Sequence, residues 1–414
     1  MAVRAEDFEG VGRISRGMSR PKIIISGYYG YGNAGDEAIL ASLVQAISAE
    51  VRDAEFCVLS GNAVETRRAL GVRAVQGKNL FAVVTELIGA SLLVSGGGGL
   101  LQDTTGPRSV LYYLSVVSLA RKLRKPVMFY AQGIGPVRGA RARKMVGRVA
   151  SRVQLITVRD VESKLQLEEM GVKGPPVVVT ADPVLGLEPC AQSRVDEILR
   201  AESCGIGEDA PRVVGLSIRP WTNAPDIHDH FVALGRVLVE RGYRVLVMPF
   251  QQSQDRVICE QVEKAIGSGA QTLRGEYDPT ALMGICGRLH AVVGMRLHAL
   301  IFAAAQGVPV AGVAYDPKVA NFLRRIEAPT VSLQGLQSSA LIEAALDAVL
   351  NAVEHRQRLL RTVPLLRDEA RSNARLLRAL LDGKGRLDSP TGPEQAVTAS
   401  GAVRANLSSA GGDV

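Results

Sequence analysis

The stretch Gly294 to Lys318, GMRLHALIFAAAQGVPVAGVAYDPK, decides how the chain is read. An apolar run at 291–293 ends a buried strand, Gly294 breaks it, and 297–306 has helical composition that stops at Gly307. Residues 308–313 then form the next strand. Strand, helix and strand in this order make a parallel α/β unit. Arg296 and His298 fall at the N-terminus of its helix, where a cation is disfavoured by about 0.3–1 kcal/mol unless an anion lies beside it. Lys318 follows the second strand, on the carboxyl edge where open α/β sheets hold ligands. The placement asks for an anionic ligand. Ordinary salt bridges for Arg296 and Lys318, with His298 satisfied internally, are the alternative.

The same rhythm extends outward. KIIIS, EFCVLS, SLLVSGG, PVMFYAQG, QLITVRD and VVVTADP alternate with helical segments from Lys22 to Pro183, and RVVGLSIRP, YRVLVMPF and AQTLRG repeat the pattern before the opening unit. The expected fold is two doubly wound, Rossmann-like domains facing each other across a cleft, at 21–186 and 212–350. A connection at 187–211 joins them, and Leu-, Ala- and Arg-rich helices at 351–383 cross back toward the first. Composition predicts disorder for 1–20 and for the Gly- and Ser-rich tail 384–414.

A chain of 414 residues, 47% hydrophobic, suits two cores. Its net charge of +8 permits nucleic acid, a membrane surface or an anionic substrate as partner, and an aromatic content of 4% argues against nucleic acid. Five scattered cysteines without CxxC spacing support neither a disulfide framework nor a zinc site. The first twenty residues hold no apolar core of a signal peptide, and the longest apolar run, 110–120, is too short for a membrane span, so a cytoplasmic protein is expected. Basic clusters at 121–125 (Arg121, Lys122, Arg124, Lys125) and 138–152 (Arg138, Arg141, Arg143, Lys144, Arg148, Arg152) read either as solvated helix faces or as a surface for anionic lipid at the inner face of the plasma membrane.

Candidate chemistry gathers at strand ends. Arg219 ends one strand, Gln251 and Asp255 follow another, and together with Arg296, His298 and Lys318 they would share one edge. Three fixed cations suit a compact ligand with a phosphate and a carboxylate, and histidine adds a group that moves protons near neutral pH. In GYYGYGNAGDEAIL, Gly30, Gly32 and Gly35 satisfy GxGxxG ahead of a helix, but the glycines begin late and no acidic residue ends the second strand. A dinucleotide loop, a structural turn and an acceptor loop all remain open. Asp36 is either a helix-capping carboxylate or a catalytic base. SGGGGLLQD, at 95–103, places a second glycine loop at the cleft.

With GYYGYGNAGDEA, SGGGGLLQD, YAQGIGP, the pair Arg159 and Asp160, the pair Asp182 and Pro183, SIRP, GMRLHALIFAA and YDPK, the chain resembles the polysaccharide pyruvyl transferase family from about Lys22 to Leu350. It is most similar to the bacterial branch that pyruvylates cell-wall polymers anchoring S-layer proteins. The resemblance implies a fold similar to GT-B glycosyltransferases, phosphoenolpyruvate (PEP) as donor and a ketal-linked pyruvate on a sugar as product. On matching positions it implies donor binding by Arg219, Arg296 and Lys318 and acid chemistry by His298; Gly294 joins the donor-binding candidates, and Asp36 is the candidate for accepting an acceptor hydroxyl proton. Asn33, Asp36, Gly97, Gly98, Gln102 and Asp103 become acceptor-binding candidates. The implied acceptor is a lipid-diphosphate-linked saccharide, typically carrying N-acetylmannosamine, and the scheme requires no metal, nucleotide or other cofactor. A GT-B glycosyltransferase using a nucleotide sugar, an NAD-dependent enzyme and a non-catalytic glycan-binding module are the competing readings.

Overall fold

The computed structural model describes residues 20–102, 107–206 and 211–383. The tail and all but Arg20 of the N-terminal extension, where disorder is expected from composition, lie outside the described residues.

Among the described residues, eight strands form the first sheet: β1 (Lys22–Ser26), β2 (Glu55–Ser60), β3 (Arg73–Gln76), β4 (Leu92–Ser95), β5 (Gly98–Leu101), β6 (Val127–Ile134), β7 (Leu155–Val158) and β8 (Val177–Val179). Their order is β3-β2-β1-β4-β6-β7-β8, with β5 beside β6, and every pairing is parallel. The second sheet holds β9 (Val213–Ser217), β10 (Arg244–Val247), β11 (Ala270–Thr272), β12 (Ala291–Gly294), β13 (Val310–Ala314) and β14 (Thr330–Ser332) in the order β11-β10-β9-β12-β13-β14, again all parallel. Strands buried on both faces need near-continuous apolar runs, and β1, β4, β6 and β12 supply them.

Strand order reverses between β1 and β4 in one sheet and between β9 and β12 in the other. Such switch points open a crevice beyond the carboxyl ends of the strands. The loops that leave these four strands therefore frame the cleft: the tyrosine-glycine loop after β1, the glycine loop after β4, Arg219 after β9, and Arg296 with His298 after β12.

One apolar cluster runs from sheet to sheet. It includes Ile39, Leu43 and Ile47 of the helix Ala34–Glu50, Leu300 and Phe302 of the helix Leu297–Ala305, and Leu359, Val363 and Leu377 of the last helix, Ala352–Asp382. At 1.5 Å per residue this 31-residue helix reaches roughly 46 Å, enough to strap both halves. Arg367 donates to the Leu185 carbonyl at 3.1 Å and to the Ala305 carbonyl at 3.0 Å, and the Thr180 hydroxyl donates to Asn373 at 3.1 Å. Among the described residues, no helix is long and apolar enough to cross a membrane.

Candidate functional site

The helix Ala34–Glu50 points its N-terminus at the second half of the chain. Asn33 caps it, accepting from the Gly35 N–H at 3.0 Å, and its amide donates to Gln251 at 3.5 Å. Beside that contact the Ala34 N–H donates to the Phe250 carbonyl at 2.9 Å. Asn33 thus holds the two halves together, and the capping role weighed for Asp36 belongs to Asn33. Glu37 accepts from the backbone N–H groups of Gly30 (2.8 Å) and Tyr31 (3.3 Å), fixing the loop after β1. Gly30 has φ 77°, and a β-carbon there would stand 2.5 Å from the Asn62 nitrogen, so only glycine fits. Gly35 packs against the His298 ring in the same intolerant way. Two of the three glycines of the GxGxxG run are thus occupied by packing.

His298 sits one residue inside its helix, 15% exposed, with Nε2 3.8 Å from Asp182 Oδ2. Arg159 donates to the same carboxylate oxygen at 3.3 Å and lies 3.6 Å from Asp160. Burial drives the His298 pKa down to about 4; Asp182 opposes that shift, and Arg159, Lys318 and Arg296 reinforce it. The ring is therefore neutral at pH 7, and its buried Nε2 has no hydrogen-bond partner. A buried polar atom left unpaired costs about 1–3 kcal/mol, a cost that a ligand's hydrogen-bonding group would remove.

Asp36 responds in the opposite direction. Burial lifts its carboxyl to about 7, neighbouring Glu37 adds to the rise, and Lys318, Arg296 and Arg159 counter it. The same three cations act on Asp36 and His298, and Gly35, the residue before Asp36, packs on the His298 ring, so the acid and the imidazole lie in one electrostatic neighbourhood although they follow strands of different sheets. Gly98, with φ 96°, lies opposite Asp36: a β-carbon there would stand 3.3 Å from Oδ1. Gly97 is buried among Ile39, Tyr130 and Pro183, where it serves packing.

The predicted cations are not equivalent. Arg296 forms a two-pronged ion pair with Asp255, through Nε at 3.0 Å and a second contact between NH2 and Oδ1. Asp255 is fully buried and also accepts from the Gln251 N–H at 2.9 Å. The anion demanded by the position of Arg296 is thus supplied by the protein, because β10 and β12 both flank β9 and bring Asp255 across. Lys318 lies 3.3 Å from Asp316, which caps the helix Pro317–Arg325. Arg219 meets aromatic partners: NH1 donates to the Tyr315 hydroxyl at 3.2 Å, and the guanidinium carbon lies 5.1 Å from the Trp221 ring and 5.2 Å from the Tyr315 ring. Its Nε is buried without a partner. Lys318 approaches the same Tyr315 ring at 5.8 Å, so Tyr315 stands between the two cations.

Gly294 ends β12 where a β-carbon would be 2.7 Å from the Ser217 carbonyl, so it serves close strand packing. Gln102 is partly buried beside Gly99. Asp103 lies outside the described residues. Arg159, which the sequence offers only as part of a motif, is 7% exposed, tied to Asp182 and within the field of both Asp36 and His298. Its signal was legible: an arginine directly after the strand LITV, on the ligand edge. A small pocket lined by Arg159, Asp160, Asp182, Lys318 and Arg325 adjoins this cluster. Among the described residues, no group of three or more His, Cys, Asp or Glu side chains is placed to hold a metal ion.

A family model described as polysaccharide pyruvyl transferase matches residues 33–317. The amylovoran biosynthesis protein AmsJ of Erwinia amylovora is 20% identical over 401 residues, covering 83% of this chain and 95% of AmsJ. Among solved structures, S. aureus MnaA in complex with UDP superposes with a TM-score of 0.64 at 12% identity, covering 90% of this chain and 100% of that one. A glycosyltransferase from Rickettsia africae gives 0.59 at 11% identity, with coverage of 88% and 99%. These likenesses show the two-sheet GT-B architecture.

Proposed function

The chain belongs to the polysaccharide pyruvyl transferase family, as a transferase that places pyruvyl groups on polysaccharide, and on that premise we propose that its donor is PEP and its acceptor a lipid-diphosphate-linked saccharide carrying N-acetylmannosamine. Residues 212–350 take the donor, and residues 21–186 take the acceptor. The observation that carries this reading is the unpartnered, neutral His298 imidazole set among Arg159, Arg296 and Lys318. A trianionic enol phosphate matches that field, and its charge would raise the His298 pKa toward neutrality.

One sugar hydroxyl adds across the PEP double bond: its oxygen bonds to C2 while C3 gains a proton and becomes methyl. The C2–O bond to phosphate then breaks, the second hydroxyl attacks C2, and its proton leaves with phosphate. His298 delivers the proton to C3. Asp36, poised near pH 7, accepts the first hydroxyl's proton and gives it up to solvent, while His298 takes one back, so that the cycle closes. Arg219 and Lys318 bind the donor's anionic groups, Arg296 sets the local potential from its pair with Asp255, and Arg159 stabilises the departing phosphate. His298→Ala should lower kcat by about 10²–10⁴ while PEP still binds; full activity in that variant would overturn the assignment.

The protein works at the inner face of the plasma membrane. Lys122, Arg124, Arg141, Lys144, Arg148 and Arg152 are exposed on the first half, and each basic residue near an anionic surface contributes about 1 kcal/mol. Flotation with anionic liposomes at low salt tests this, and failure to float removes it.

A further inference from the structure

Five of the chain's nine tyrosines, Tyr28, Tyr29, Tyr31, Tyr112 and Tyr113, fall in two short segments of an otherwise aromatic-poor sequence. Three have structural tasks. Tyr29 is wholly buried beside Gly27 and Gly96, Tyr113 is 5% exposed, and the Tyr112 hydroxyl donates to the Gly77 carbonyl at 2.8 Å. Tyr28 and Tyr31 do not share that burial. Their rings stack at 4.4 Å between centroids with an interplanar angle of 14°, while 36% and 40% of each residue stays exposed.

Tyr31 is anchored by its neighbours, and Tyr28 stacks on it. The Tyr31 ring lies against Gly61, where a β-carbon would stand 2.5 Å from Cζ, and its N–H is fixed by Glu37. Each ring covers one face of the other and still leaves more than a third of the residue in water, a pair of adjacent exposed aromatics that a ligand can cover. Burial and then the Asp36 carboxylate hold the Tyr28 phenol above its ordinary acidity range, with Tyr31 and Glu37 adding to the effect. The charged groups acting on Tyr28 are thus carboxylates, which repel phosphates but accept hydrogen bonds from hydroxyls.

We infer that Tyr28 and Tyr31 form the stacking platform for the saccharide acceptor, seating an apolar sugar face on the rings and directing its hydroxyls toward Asp36. This rests on the pyruvyl-transfer reading and names the part of that site that selects the sugar. The rings supply amphipathic contact area at little entropic cost, and the carboxylates supply the polar rim.

The test is saturation-transfer NMR, without PEP, using the full chain and the methyl glycosides of N-acetylmannosamine, N-acetylglucosamine, glucose and galactose. The wild type should bind at least one of them. Tyr28→Ala and Tyr31→Ala should weaken that glycoside about tenfold, Tyr31→Phe should restore it, and Gly61→Ala should weaken it by displacing the ring. In turnover assays the alanine variants should raise the acceptor KM and leave the PEP KM unchanged. Alanine variants that bind like the wild type, phenylalanine variants as weak as alanine ones, or a wild type that retains none of the glycosides would overturn the platform. If pyruvyl transfer itself fails, the wild type releases no phosphate from PEP, yet ring-dependent glycoside binding still appears and upholds the platform.

Discussion

The His298 imidazole lies against the α-carbon of Gly35, so closely that a β-carbon on Gly35 would stand 2.0 Å from Nδ1, far inside van der Waals contact. Each residue belongs to the N-terminal segment of a helix, one after β1 and the other after β12, and the two helices meet end to end across the cleft. The position of the imidazole therefore depends on how the two halves close.

Gly35→Ala tests that dependence. A methyl group has no room unless His298 shifts or the halves part, and a displacement near 1 Å in a reacting group costs about 10²-fold in rate. We expect kcat to fall at least that far while the sheets remain folded by circular dichroism. Wild-type kcat in Gly35→Ala would show that His298 is free to move without consequence.

Asp255→Ala should be among the more destabilising substitutions in the second half. It strands the buried Arg296 guanidinium and removes the acceptor for the Phe250 and Gln251 N–H groups. Breaking one side of a buried pair costs about 3–5 kcal/mol. Urea unfolding should show a loss of that order, and a change within about 0.5 kcal/mol would mean that Arg296 is hydrated.

Opposed pKa shifts give a pH signature. Asp36 has a folded pKa of about 7 against an ordinary 3.8, so between these values the folded chain holds a proton that the unfolded chain has lost, and stability falls as pH rises. His298 has a folded pKa of about 4 against an ordinary 6.5, so there the unfolded chain holds the extra proton and stability rises with pH. The two slopes offset each other between about pH 4 and 6.5. Asp36→Asn should unmask a rise across that window and His298→Ala a fall, each approaching 1.4 kcal/mol per pH unit for one proton. Both variants following the wild-type pH profile would contradict the inverted pair.

Trp221 is the chain's one tryptophan, and it packs 4.7 Å from Tyr315 with Arg219 beside both rings. An anion reaching Arg219 should change its emission. PEP titration should give a saturable fluorescence change that disappears in Arg219→Ala, where the indole remains but the cation is gone. An unaltered response in that variant would remove Arg219 from the donor site.

Much of this architecture is legible in the residues. Strands such as Lys22–Ser26 and Ala291–Gly294 are covered on both faces, so their apolar runs announce them. Arg73–Gln76 and Thr330–Ser332 lie at sheet edges with exposed residues, and Gly98–Leu101 hides within a glycine loop, so none carries such a run. The ligand edge is legible because parallel strands place their following residues together. What local sequence does not carry is pairing. Asp255 stands 41 positions from Arg296 and becomes its partner only through the strand order β10-β9-β12. The stacked tyrosines in GYYGYG were hidden in the same way, because which rings stay in water depends on the glycines packed beneath them.

Donor and acceptor chemistry together are tested most directly by following the wild-type protein with PEP and a lipid-linked N-acetylmannosamine saccharide by phosphorus and proton NMR. Inorganic phosphate and a ketal methyl signal should grow in equal amounts, only when both substrates are present, and neither should appear with His298→Ala. Intact PEP alongside consumption of a UDP-sugar would contradict the account.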